Sequence, residues 1–403
     1  MIDRRQFLAC SAALAATAPR RVFTQTPDVE RVIVIGAGIV GASIAYYLTK
    51  RGCDVTIIDK GLPASQASGN TFAWINAAYT NRPQSYLSLR LASLAEYRNL
   101  SNDVTFPIRW SGSLEWFQDA DNEQRLADEV AAFQRAGGSD TRMIDAAAAA
   151  AIEPNLNLGG NFRLAHATND GAIDAQAATQ AVFDRALEMG ARAVLLAEVE
   201  SIRKRRRSVR VTTTGGDYDA DLVVAAAGVD SRRIGRMVGE RIDTDTRATP
   251  GVIATTGPLP MILNTVLYPP HVHLHQLPDG RVVIGEKAGA PASDAHRQAF
   301  GSRPNAFPDE AQATAHALRL LTMAREYVPE LAQAKNVDVG IGWRPMPTDG
   351  LPVVGHGTNA GHVYFATMHS GVTLAPIIGR YAADEILDGS RVAALADFRP
   401  DRF

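Results

Sequence analysis

The sequence predicts an α/β protein in which a discontinuous dinucleotide-binding domain encloses a second, α+β domain. Three observations predict it. Residues 32–60 form a strand, a glycine turn, a helix and a second strand ending in an acid. Buried-strand patterns return late, around 220–228 and 338–368, as if the first domain were being completed. The intervening chain carries helices and short strands with neither an internal repeat nor a low-complexity linker.

Each part of the 32–60 unit has a physical task. Val32–Ile35 is a continuous apolar run, as suits a strand buried on both faces. Gly36, Gly38 and Gly41 follow in G-x-G-x-x-G spacing. The first permits the tight turn, the second admits a pyrophosphate to the backbone, and the third lets helix and strand pack closely. Val40, Ile44, Tyr47 and Leu48 give the helix one apolar face. Its free N–H groups, backed by the helix dipole, suit phosphate. Gly52 ends the helix, and Val55–Ile58 leads to Asp59, where an acid that binds ribose hydroxyls belongs.

Residues 1–25 stand outside the fold. They combine a basic start, an apolar run from Phe7 to Ala18 and Ala-x-Ala cleavage patterns, the marks of a signal peptide. Arg4-Arg5-Gln6-Phe7-Leu8 resembles the twin-arginine export signal, which predicts a periplasmic or secreted protein exported already folded. No membrane span is expected in the mature chain. A net charge of -2 gives no reason to expect nucleic acid. Cys10 and Cys53 are the only cysteines, so the mature chain has neither a disulfide nor a cysteine-based metal site.

Beyond Asp59 a small-residue loop runs to Tyr79, followed by a helix near Ser85–Leu100. Residues 105–117 read as two strands about a Ser111-Gly112 turn. Helices are predicted over 122–136 and 146–151, the latter broken by Pro154, and over 175–189, capped by Asp174 and stopped by Gly190. Residues 192–202, 209–214 and 220–228 read as strands, which places the basic run Arg203–Arg207 at a solvated hairpin tip. Strands follow at 271–277 and 281–286 about the Pro278-Asp279-Gly280 turn, then a helix over 308–331, broken near Pro329, and a closing helix from about 374 to 387.

At this point the chain resembles the flavin-dependent amino-acid and amine oxidases of the D-amino acid oxidase, glycine oxidase and sarcosine oxidase group. The landmarks beyond 32–60 are ASGNTFAWINA from Ala67, GSLEW at 112–116, Glu153-Pro154, DGAIDAQA at 170–177 and ADLVVAAAGVDS at 220–231. PDGRVVIGE at 278–286, WRPMPTDGLPVVG at 343–355 and HSGVTLAPIIG at 369–379 complete the set. The resemblance implies a Rossmann-type FAD-binding domain over 28–77, 155–235 and 338–403. It implies a substrate domain on a mixed or antiparallel sheet over 78–154 and 236–337.

It further implies FAD as cofactor. Gly36, Gly38, Ile39, Val40, Gly41, Asp59 and Lys60 would hold the ADP half, Val199 would meet the adenine, and the Ala227-Gly228 turn would pass close by. Ser68, Ala73 and Trp74 would lie along the isoalloxazine, with Gly371, Val372, Thr373 and Leu374 opening a helix toward its pyrimidine end. Two departures from the family pattern are Asp59 in place of Glu and Ala73 in place of Gly. Neither Cys nor His stands where some relatives attach flavin, so the FAD is expected to be noncovalent.

Arg344 matches the family's carboxylate-binding arginine, whose planar fork grips a carboxylate with two hydrogen bonds. The competing role is a structural arginine paired with Asp349 or Asp338. His271, His273 and His275 alternate along one strand and share a face. No carboxylate or Cys joins them at metal-ligand spacing, so no metal site is expected, and His273 is the candidate for the substrate cavity. His369, just before the flavin-facing helix, is a further candidate, and Trp74 and Trp343 are candidate walls. The implied reaction is oxidation of a C–N bond in a small amino acid or N-substituted amino acid, with O2 or a quinone as electron acceptor. A 2-hydroxy acid would suit the same clamp, and a flavoprotein subunit without independent turnover is the non-catalytic alternative. The sequence leaves homo-oligomerisation open.

Overall fold

The computed structural model describes residues 29–77, 83–138, 140–244, 250–287, 303–307 and 309–403. The predicted leader, with Arg4, Arg5 and Cys10, lies outside them.

A six-stranded sheet forms the first layer, in the order Val353–His356, Val363–Thr367, Leu222–Ala225, Arg31–Ile35, Asp54–Ile58, Arg192–Val194. All its neighbours are parallel except the first pair. The apolar run at 32–35 is buried on both faces, as its composition requires. Val32 and Val34 pack on the side of the helices Ile39–Lys50, Ala175–Glu188 and Gly371–Asp388. Ile33 and Ile35 pack on the antiparallel sheet formed by Val199–Lys204, Val209–Thr213 and Gly216–Ala220. That sheet carries the Arg203–Arg207 tip, which is exposed throughout.

The second layer is an eight-stranded sheet in the order Asp338–Trp343, Pro250–Thr255, Val282–Glu286, Val272–Gln276, Val266–Tyr268, Ser113–Glu115, Leu164–Ala167, Thr141–Ile144. It is antiparallel except where 266–268 runs alongside 113–115. The helix Glu310–Tyr327 covers one face, where Leu320, Leu321 and Ala324 join Val272, Leu274 and Ile284 in a second core. The opposite face carries His273 and His275 and looks onto the loop at 66–74.

Several expectations need correction. The strands Ile108–Arg109 and Ser113–Glu115 do not form a hairpin. Ile108–Arg109 pairs with Gly171–Ile173, whereas 113–115 joins the large sheet, because Gly112, with φ +72°, redirects the chain between them. The stretch at 192–202 is two strands in different sheets, broken at Leu196 in a left-handed conformation. Leu164–Ala167 and Asp338–Trp343 pair into the second sheet. The last helix begins at Gly371, earlier than periodicity alone suggests but where the resemblance puts its opening, and the break expected near Pro329 is present, the helix after Asp309 ending at Tyr327. Pro308 lies outside the described residues.

Candidate active site

Between the two layers lies a cavity of about 700 Å³. The glycine turn forms one end. Gly36 has φ +116°, and a Cβ there would stand 2.3 Å from the Ala226 carbonyl oxygen. A Cβ on Gly41 would stand 1.9 Å from the Gly36 carbonyl oxygen, so this glycine serves helix–strand packing and does not line the cavity. Gly38, Ile39 and Val40 do line it. Gly38 caps the helix Ile39–Lys50 with no side-chain acceptor, and the first turn holds no acid. Ser68 Oγ accepts from the Ile39 N–H at 3.0 Å, which brings the 66–74 loop to the helix start.

Asp59 lies just past its strand, its carboxylate accepting from the N–H groups of Ala37 and Gly61 at 2.7 Å each. These bonds fix its orientation and leave lone pairs for ribose hydroxyls. Lys60 pairs with Asp230 at 2.6 Å beside it. Val199, Ala227 and Gly228 line the same end, where Arg233 donates to the Val199 carbonyl at 2.8 Å.

At the far end the helix Gly371–Asp388 opens into the cavity, also without a side-chain cap or an acid in its first turn. Its N-cap, Ser370, is engaged elsewhere, by Tyr86 at 3.0 Å and Arg90 Nη1 at 3.4 Å. Gly371, Val372 and Thr373 line the cavity. Leu374 does not, because its side chain is fully buried in the helical core. Two helix N-termini whose own N-cap residues supply no side-chain cap therefore face one cavity, an arrangement that fits a long ligand with a pyrophosphate near one end and an electron-rich ring at the other. Ala73 holds φ +60°, a conformation that glycine adopts freely, at the position where the family pattern has glycine.

The sheet face is shaped by small residues. Cβ atoms on Gly340 and Gly342 would each stand 2.1 Å from Asn70, so these glycines let the 66–74 loop lie flat on the strand. Gly285, paired with His273, leaves room for its imidazole, and a Cβ there would stand 1.9 Å from Nε2. Gly251 stands beside Arg344, with its Cβ position 3.5 Å from Nε. Arg344 lines the cavity, and burial lowers its pKa from the usual arginine value. Asp349, one expected structural partner, instead binds Arg402 at 2.7 Å. Among the described residues Arg344 has no carboxylate within ion-pair distance.

Around Arg344 stand Tyr268, Trp74 and His273. Trp74 packs on Tyr268 at 4.9 Å, and Tyr268 stacks on His273 at 5.6 Å with planes 9° apart. Burial, and after it the charges of Lys287 and Arg344, keeps His273 neutral. His275 turns away to hydrogen-bond the Phe72 carbonyl at 2.7 Å, and His271 is exposed just before the strand. His369 and Trp343 line the cavity, and Trp343 Nε1 donates to the Pro304 carbonyl at 2.9 Å. Among the described residues no cluster of His, Cys, Asp and Glu could hold a metal.

Sequence reasoning missed Arg90, Tyr268, Lys287 and Asp170. Arg90 carried one signal, a charge on the otherwise apolar helix face of Tyr86, Leu94 and Tyr97. It is buried and donates to the Asn76 carbonyl at 2.8 Å. A smaller chamber of about 280 Å³ shares Arg344, Trp343 and Asp230 with the main cavity, and Arg232, Arg236 and Arg303 line its walls.

A family model described as "FAD dependent oxidoreductase" (DAO) matches residues 31–385. The chain is 26% identical over 377 residues to the glycine oxidase of Geobacillus kaustophilus (strain HTA426), covering 91% of this chain and 95% of that one. The crystal structure of glycine oxidase from Geobacillus kaustophilus superposes with a TM-score of 0.78 at 23% identity, covering 93% of this chain and 99% of the other. L-proline dehydrogenase from P. horikoshii gives a TM-score of 0.78 at 23% identity, covering 94% and 98%. These solved structures share the fold.

Proposed function

Since this chain belongs to the DAO family of FAD-dependent oxidoreductases, we propose that it oxidises the C–N bond of a small amino acid or N-substituted amino acid. One observation carries the reading: Arg344 presents a guanidinium to the cavity with no carboxylate partner among the described residues. Burying such a charge is costly unless a ligand supplies the counter-charge, and a planar fork suits a carboxylate. FAD supplies the two-electron acceptor for the hydride that leaves the carbon beside nitrogen. The chain's residues position and shield. Arg344 fixes the carboxylate, while the Trp74 and Tyr268 rings wall the site from water. Neutral His273 adds no competing cation, and His369 borders the cavity beside the helix start. The oxidised product is an imine that water hydrolyses to a keto acid or aldehyde, with O2 or a quinone taking the electrons.

The test is anaerobic mixing with D-amino acids, sarcosine, glycine, proline and 2-hydroxy acids, followed by flavin absorbance. Bleaching by an amine with a carboxylate on the neighbouring carbon supports the proposal. Bleaching by hydroxy acids alone identifies an alcohol dehydrogenase, and no bleaching by any of them points to a subunit without its own turnover. The leader motif supports export through the twin-arginine route to the periplasm or beyond, where a cofactor inserted before export would be retained.

A further inference from the structure

The substrate end of the cavity carries more positive charge than one carboxylate uses. Arg344 is the first cation. Lys287 is the second: it follows the strand Val282–Glu286 and lines the same cavity. Its Nζ stands 3.7 Å from the Tyr268 ring centre and 4.9 Å from that of Phe117, and donates to the Tyr268 carbonyl at 3.3 Å. An ammonium has three N–H donors, so two remain for a ligand. No carboxylate among the described residues is within ion-pair distance of it. Glu115 acts on it only at longer range and does not line the cavity.

The two cations flank one small region. Both lower the pKa of His273, so the imidazole lies within the field of each. Tyr268, stacked on that imidazole, lies beneath Lys287, and its phenolic group acts electrostatically on Arg344. The acids that line the cavity are already engaged. Asp59 takes the backbone N–H groups of Ala37 and Gly61, Asp230 takes Lys60, and Glu286 takes both Arg319 nitrogens at 2.5–2.6 Å. A monocarboxylate would neutralise Arg344 and leave Lys287 with only the longer-range charge of Glu115. The adjoining chamber, with Arg232, Arg236 and Arg303, extends the same charge preference beyond the site.

We propose that the substrate is an amino or imino dicarboxylic acid, with the carboxylate beside the reacting carbon on Arg344 and a second carboxylate on Lys287. The proposal rests on the amine oxidation argued above and specifies its substrate class.

The test uses a pair of ethers that lack the oxidisable C–N bond, oxydiacetate and methoxyacetate, titrated against the flavin absorbance of the full FAD-loaded chain. Oxydiacetate should bind at least about tenfold more tightly, the effect of one further charge-assisted hydrogen-bonded contact. Lys287→Met should bring the ratio close to one, and Lys287→Gln provides the same test where methionine impairs folding. Equal affinities in the wild type, no detectable oxydiacetate binding up to millimolar concentration, or an unchanged ratio in both variants would overturn the proposal. Anaerobic flavin reduction by iminodiacetate and sarcosine then tests the reaction. At least tenfold preference for iminodiacetate supports the dicarboxylate site, and an equal rate overturns it. If neither amine reduces the flavin, the proposed oxidation of such amines fails, while the ether pair still decides whether a second carboxylate is held.

Discussion

Trp74 Nε1 donates to Asp170 Oδ2 at 3.0 Å, so a cavity wall is oriented by a carboxyl group with no exposure to solvent. Ser113 Oγ donates to the same oxygen at 2.7 Å, which ties the loop at 66–74 to the second sheet. Burial outweighs these donors and raises the pKa of Asp170 to about 7. Between about pH 4 and 7 the native protein thus holds a proton that the unfolded chain, with an ordinary carboxyl near 3.9, has released. The contribution of this group to stability is full below pH 4 and is lost as pH rises through 7. Asp170→Asn should flatten that part of the pH–stability curve, measured as Tm from pH 4 to 8 against the wild type. A wild-type slope that persists in the variant assigns the titration to another group.

Arg344→Ala should keep its FAD, since the glycine turn and Asp59 lie at the other end of the cavity. Removing the fork should lower kcat/KM for carboxylated amines by about tenfold to a hundredfold. Arg344→Lys should recover little, because a point charge cannot reproduce two parallel hydrogen bonds. Comparing a carboxylated amine with its decarboxylated analogue isolates the clamp: the wild-type preference should collapse in both variants.

The purified protein should be yellow, and acid should release unmodified FAD. Cys53, the one cysteine among the described residues, is buried and does not line the cavity, so it offers no attachment point. Flavin that remains with the precipitated chain would contradict noncovalent binding. Gly36→Val should yield colourless or insoluble protein, because its side chain would collide with the Ala226 backbone.

Arg399 and Glu385 form a buried two-pronged pair at 2.6 and 2.7 Å, with the Tyr364 hydroxyl donating to the same carboxylate at 2.8 Å. Glu385→Ala strands the guanidinium away from water and should cost about 3–5 kcal/mol in unfolding experiments. Flavin spectra at low temperature should be unchanged, since neither residue lines the cavity.

Changing Arg4 and Arg5 to Lys should leave a folded, FAD-loaded protein in the cytoplasm, checked by fractionation. Unchanged export would assign the leader to another route.

Local pattern made the first layer legible, because the strand at 32–35, the three glycines and Asp59 are consecutive features of one unit. The glycine-turn end of the cavity was therefore visible as residue numbers. The Arg344 end was not, since it forms where separate segments meet. Lys287 follows one strand, Tyr268 ends another, and Asp170 directly precedes a third. The partners of the strands at 108–109 and 113–115 were hidden in the same way, because short strands show their partners only through hydrogen bonds between distant residues. Arg344 was found through family resemblance, while its lack of an ion-pair partner among the described residues required coordinates.

The arginine-lined chamber beside Arg344 has a kinetic consequence. A concave patch of one sign concentrates oppositely charged solutes and shortens their diffusional search. Mobile ions dissipate that field over roughly 8–10 Å at ordinary ionic strength, whereas contacts formed inside the closed site are largely sheltered. Raising salt should therefore slow the encounter of an anionic substrate while leaving the rate of flavin bleaching at saturation nearly constant. Catalytic efficiency would then vary with the ionic strength of the compartment in which the enzyme works, even though turnover at saturation would not.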